Sequence, residues 1–235
     1  MPFFNAPALY RHKIVPTGMY ETEETAMLLF YSPTSPFARN VRAVARERGL
    51  TRCINEMSVA PYDDDPALLQ ANPLGRVPTL VLNDGQVLLD SAVICAYLDA
   101  YDAANDHGTR LIPAHDGGQG REFWRISTHV ALADTIMELA LSGVIERKRP
   151  PAQQSPDAVA RAFQKIERAL GALERYVTGT DGWNMAHVAT ACALDYLEFR
   201  FADYLWRATY PALGTWLDDA HQRPALKETA PYEGT

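Results

Sequence analysis

The stretch Asn72-Pro-Leu-Gly-Arg-Val-Pro78 packs two prolines and a glycine into seven residues and stands directly before two short apolar segments. Neither a helix nor a central strand runs through such a cluster, because proline lacks an N–H and glycine lacks backbone restraint. Regular structure must therefore restart beyond Pro78. Thr79 to Leu82 and Val87 to Leu89 flank Asn83-Asp84-Gly85, the signature of a β-hairpin.

The residues before the cluster read as a βαβ unit. Met27 to Tyr31 (MLLFY) is a short apolar run of buried-strand type, ended by Ser32-Pro33-Thr34. Ser35 suits an N-cap, Pro36 the first helical position, and Gly49 the end of that helix. Phe37, Val41, Val44 and Ala45 share one side, and the arginines take the others, where solubility or pairing within the domain accounts for Arg39 and Arg42. A weaker strand comes next over Cys53 to Ser58, then a short helix near Pro66 to Gln70. After the hairpin, Asp90-Ser91 caps a helix carrying Val93, Ile94, Tyr97, Leu98 and Tyr101. The order β-α-β-α-β-β-α predicts a parallel first pair with the hairpin extending the sheet.

The chain divides into four parts by pattern. Residues 1–26 hold three prolines and no sustained periodicity, so they read as a tail, with Phe3, Phe4 and Tyr10 able to dock it. Residues 27–102 form the α/β domain, 103–118 a linker rich in Asp, Gly, His and Pro, and 119–235 an all-helical domain. Helices are predicted near 119–147, 155–177, 184–205 and 209–220. Val188 to Phe199 is apolar nearly all round, so its helix should run through the centre of that domain, capped by Asn184.

Charge and cysteine content narrow the function classes. The formal charge is 22 − 29 = −7, which argues against a nucleic-acid partner while leaving room for a small anion beside a local arginine excess. Cys53, Cys95 and Cys192 are scattered and odd in number, without metal-ligand spacing, so a reducing compartment and no metal site are expected. No apolar run approaches the roughly 18 residues a membrane span needs, and the N-terminus lacks a secretory pattern. A cytoplasmic protein with no membrane partner is the expectation.

Ser-Pro-Thr-Ser-Pro-Phe37 at the first helix, Asn72-Pro-Leu-Gly-Arg-Val-Pro78 at the hairpin and Asp90-Ser91 at the last helix resemble the glutathione S-transferases, over residues 27 to about 230. The Ser-Pro-Phe start looks closest to the serine-type classes and to a bacterial cytosolic branch. The resemblance implies a thioredoxin-like N-terminal domain followed by an all-helical C-terminal domain, glutathione as co-substrate, a small apolar electrophile as second substrate, and a homodimer. It places the thiol-activating hydroxyl at Ser35, with Thr34 and, more distantly, Ser32 as rivals. Glutathione contacts are implied at Thr34, Arg76, Val77, Pro78, Asp90 and Ser91.

The chemistry fits those residue types. A thiol with a pKa near 8.5 reacts as its thiolate, which a hydroxyl and a helix N-terminus stabilise. The Val77-Pro78 bond is of the type that can be cis, and Val77 kept out of the ladder could pair with a peptide ligand; Pro78 opening a strand in trans is the plainer reading. Asp90 and Ser91 can meet an ammonium and a carboxylate on one carbon, or simply cap the helix. Asp90 stands where the family often has Glu, one methylene longer. His187 stands where it frequently has an Asp closing a capping box, which puts the box in question while Asn184 still caps. Asp195, in an apolar helix, calls for a local partner. Phe37, Trp124 and Met137 are the expected apolar lining for the electrophile. Conjugation leads, with isomerisation, dehalogenation or a non-catalytic binding role as alternatives.

Overall fold

The computed structural model describes residues 26–60, 62–101, 110–113 and 120–233. The tail with Phe3, Phe4 and Tyr10 and nearly all of the linker lie outside the described residues. Two compact units account for the rest: residues up to Tyr101 together with Tyr232 and Glu233, and residues Arg110 to Pro231.

In the first unit, strands β1 (Met27–Tyr31), β2 (Ile54–Ser58), β3 (Thr79–Val81) and β4 (Val87–Leu89) form one sheet in the order β2-β1-β3-β4. β1 pairs with β2 in parallel, Met27 opposite Ile54 through Tyr31 opposite Ser58. It pairs with β3 antiparallel, Phe30 opposite Thr79 and Leu28 opposite Val81. β3 pairs antiparallel with β4, Thr79 opposite Leu89. Helix α1 (Pro36–Glu47) packs with α3 (Ser91–Ala100), while α2 (Pro66–Ala71) closes a core of Phe30, Val59, Leu68, Ala71 and Val81.

Of the two roles expected for the α1 arginines, solubility and pairing within the domain, Arg42 takes the second. Arg39 and Arg42 are buried along with Val41 and Val44, so they do not serve solubility. Arg42 is held by Glu56 of β2, Nε to Oε2 at 2.8 Å, and lies over the Tyr31 ring at 4.3 Å. Arg46 takes the other carboxylate oxygen at 2.7 Å, and Arg48 faces buried Asp99 of α3 at 3.5 Å. Burial pushes the Glu56 carboxyl up, but the two guanidiniums outweigh it and hold it below the usual carboxylate range.

The second unit is helical: α4 (Arg121–Arg147), α5 (Pro156–Thr178), α6 (Met185–Arg200), α7 (Trp206–Thr209), α8 (Pro211–Ala220) and α9 (Pro224–Glu228). α6 is buried continuously from Met185 to Leu197, as its all-round apolar sequence demands. It ends at Arg200, short of the predicted 205, because the chain turns to bury Phe201 against Phe163, edge to face at 5.1 Å. Phe201 also presses on α4 where Gly143 offers no side chain; a Cβ there would sit 3.1 Å from its ring.

Asp195 does find a partner, though a distant one. His221, just past α8, reaches both carboxylate oxygens at 2.9 and 3.1 Å. The capping box forms too, with His187 as its third member. Asn184 Oδ1 accepts from Ala186 N–H at 2.9 Å, and Asn184 N–H donates to His187 Nδ1 at 3.2 Å. Among the described residues α4 is the one helix long and apolar enough, by length and composition alone, to cross a membrane, although no unbroken apolar run of that length occurs in it. It packs against α5 and α6, burying Ile126, Ala133, Ile136 and Ala140.

Candidate active site

Strand directions alone bring the three sequence motifs together. β1 ends at Tyr31 beside the start of β3 at Thr79, which lies beside the end of β4 at Leu89. The loop Ser32–Ser35, the segment Arg76–Pro78 and the pair Asp90-Ser91 therefore all emerge at one end of the sheet. Adjacent strands are about 4.8 Å apart, so three neighbouring strands deliver these segments within about 10 Å across the sheet.

Ser35 is the N-cap of α1. Its backbone is extended (φ −85°, ψ 117°), and its Oγ accepts from Ala38 N–H at 3.2 Å. Accepting that bond leaves the hydroxyl proton to donate elsewhere, so capping and donation to a ligand are compatible. Ser35 is half-buried, at the positive end of a twelve-residue helix. Its rivals are engaged with each other: Ser32 Oγ and Thr34 Oγ1 are 3.2 Å apart, and Ser32 is buried.

The Val77-Pro78 peptide is cis. β3 begins at Thr79, so Val77 stands outside the ladder while its side chain packs on the α2 core. Pro78 is buried and Arg76 exposed. The loop owes its shape to two residues to which the sequence alone assigned no role. Asn72 Nδ2 donates to the Arg76 carbonyl and to Thr79 Oγ1, both at 2.9 Å, and Thr79 Oγ1 donates to the same carbonyl at 2.8 Å. Asn72 Oδ1 accepts from Leu74 N–H at 3.0 Å. A signal was present: an Asn that opens a turn cluster commonly bonds backbone groups ahead of it.

Asp90 caps α3, its Oδ1 accepting from Ala92 N–H at 2.9 Å. It does so with φ at +75°, a left-handed region costly for a residue with a Cβ. Asp90 is exposed and Ser91 buried. Of the expected apolar lining, Trp124 is half exposed and Phe37 half-buried, but Met137 is wholly buried in α4 and lines no open surface. The position that looks like a methionine on a pocket wall belongs to the helical core. Among the described residues no cluster of His, Cys, Asp or Glu could hold a metal ion.

Comparison with known proteins fits this arrangement. Residues 34–100 match the glutathione S-transferase N-terminal domain, and residues 156–219 match the C-terminal domain. The chain is 37% identical over 210 residues to the uncharacterised GST-like protein YibF of Escherichia coli K12, an alignment covering 87% of this chain and 98% of that protein. This chain belongs to the glutathione S-transferase family. Its fold also matches a glutathione transferase family member from Pseudomonas fluorescens Pf-5 solved with bound glutathione, with TM-score 0.80 and 35% identity, covering 88% of this chain and all of that one. A second match is a glutathione S-transferase from Methylobacillus flagellatus with glutathione bound, TM-score 0.79 and 32% identity over 88% of this chain and all of that one. In this glutathione S-transferase the N-terminal match opens at Thr34 and closes at Ala100, so it reaches all three motifs.

Proposed function

We propose that this chain is a glutathione transferase of the serine type, in which Ser35 activates the glutathione thiol for attack on a small apolar electrophile. The observation that carries the reading is the Ser35 hydroxyl, which accepts from Ala38 N–H at 3.2 Å and so keeps its own proton for a ligand. Donation from Ser35 and the dipole of α1 together favour the thiolate. Lowering the thiol pKa by one to two corresponds to about 1.4–2.7 kcal/mol, within the reach of one hydrogen bond to a charged acceptor plus a helix terminus.

The other residues bind and orient. Val77 offers its backbone N–H and C=O to the cysteinyl portion of the tripeptide, in the manner of an added strand. Ser91 and the first amides of α3 receive the γ-glutamyl carboxylate, and Asp90 pairs with the adjacent ammonium. Arg76 and Thr34 border the same ligand. In conjugation the thiolate sulfur forms the new bond to the electrophilic carbon, the leaving group departs with the electron pair, and the thiol proton goes to solvent. The glutathione-bound relatives from Pseudomonas and Methylobacillus support the choice of co-substrate. A homodimer is the assembly expected of the family and is read by light scattering.

Calorimetric titration with glutathione, followed by conjugation of 1-chloro-2,4-dinitrobenzene, tests the proposal. Wild type is expected to bind and conjugate, and Ser35→Ala to lose about a hundredfold in turnover while still binding glutathione. Retained turnover in Ser35→Ala would transfer the role to Thr34. Binding without turnover on any electrophile would favour the non-catalytic alternative.

A further inference from the structure

Two buried side chains grip a single carbonyl oxygen one residue ahead of Val77. Asn72 is 2% exposed and Thr79 fully buried, and both donate to the Arg76 carbonyl, at 2.9 and 2.8 Å. They are also bonded to each other, Asn72 Nδ2 to Thr79 Oγ1 at 2.9 Å. Asn72 is itself fixed at every remaining group. Its N–H donates to Leu68 O at the end of α2 at 2.7 Å, its carbonyl accepts from Gly75 N–H at 2.9 Å, and its Oδ1 accepts from Leu74 N–H. The loop is thus tied to α2 on one side and β3 on the other by two side chains that are themselves buried.

Peptide geometry turns this grip into an orientation. The carbonyl of Arg76 and the N–H of Val77 belong to one planar trans unit and point in opposite directions. Holding the carbonyl from the interior aims the Val77 N–H outward. That N–H has no acceptor among the described residues, since Val77 lies outside the β1–β3 ladder.

We propose that Asn72 and Thr79 are positioning residues that aim the Val77 N–H at the cysteinyl carbonyl of glutathione, rather than mere fillers of a turn. The inference rests on the glutathione reading above and extends it to residues that never touch the ligand. Its requirement is a hydroxyl at position 79 able to accept and donate at once, and a carboxamide at position 72.

The test uses calorimetric titration of the full chain with glutathione, reading dissociation constant and stoichiometry separately. Thr79→Val removes the hydroxyl while keeping the shape; Thr79→Ser restores it. Thr79→Val is expected to weaken binding about tenfold with stoichiometry unchanged, and Thr79→Ser to bind within about twofold of wild type. A purely structural role would instead lower the stoichiometry of competent protein and leave the dissociation constant alone, and that result overturns the proposal. Equal weakening by Thr79→Val and Thr79→Ser also overturns it. If Thr79→Val does not fold, the decision passes to amide exchange in wild type: glutathione must slow exchange at Val77, and an unchanged rate rejects the proposal. Failure of wild type to bind glutathione would sink the parent reading itself, whereas tight binding by both wild type and Thr79→Val sinks this inference alone.

Discussion

One carboxylate in the first unit neutralises two arginines. Glu56 holds Arg42 at 2.8 Å and Arg46 at 2.7 Å, with Arg42 also lying over Tyr31. Removing it strands a buried guanidinium, which costs more than a surface pair is worth. Glu56→Ala is expected to destabilise by about 2 kcal/mol, a fall of about 5 °C in a thermal melt for a chain of this size, whereas Glu56→Gln, which still accepts hydrogen bonds, should lose less. The same residues show where sequence reasoning stops. An arginine on α1 carries no mark of burial, and its partner sits on β2, where strand register alone brings it near. Ser35 and Asp90-Ser91 were readable as helix caps, and Val77-Pro78 as a turn before a strand, because turn chemistry announces such boundaries, whereas the roles proposed for them came from the family resemblance. Asn72 carried a turn signal but not the identity of its partners, and Thr79 carried none, because their hydrogen bonds form only after the loop has closed. Met137 was misplaced for a related reason: the phase of a long helix is fixed by what packs on it.

Among the elements, α6 carries the most conspicuous local departure. Its capping box uses His187, whose Nδ1 must be unprotonated to accept from Asn184 N–H. Burial, followed by the nearby Arg125 and Arg223, pushes the imidazole down to about 4, against weak opposition from Glu122. Trp183, Trp216 and Tyr176 pack around the ring, and His129 adds to the positive surroundings. The unfolded chain takes up this proton near pH 6.5 and the folded chain near pH 4. The stabilisation is therefore complete above pH 6.5 and is lost as pH falls through that window. About 2 kcal/mol should disappear between pH 7 and pH 5 from this residue. His187→Gln keeps an acceptor that does not titrate, so calorimetric melting across that range should show a shallower decline; an identical decline would refute the assignment. The box was hidden from sequence because the usual third member is acidic or an amide. The helix itself was plain from its apolar residues, though its end at Arg200 was set by Phe201 meeting Gly143.

At the scale of the whole molecule, residues beyond the last helix return to the first unit. Sequence pattern carries the helical part to 235, yet Tyr232 and Glu233 group with the first unit. Tyr232 hydrogen-bonds Tyr31 at the end of β1, and burial, then that bond, raise the Tyr31 phenol above its ordinary value. No periodicity or turn signal foretells such a return. Tyr232→Phe is expected to cost about 1 kcal/mol, read as faster amide exchange at the end of β1 and an unaltered pattern in α4 to α6. Matching acceleration throughout the helices would contradict it.

Tyr31 directly precedes the Ser32–Ser35 loop, so Tyr232 lies one side chain away from the segment proposed to handle the thiol. For anyone labelling the protein, the residues beside Tyr232 are then good ground for a reporter. A fluorophore at position 233 should register events in that loop, and a bulky substituent there should blunt them.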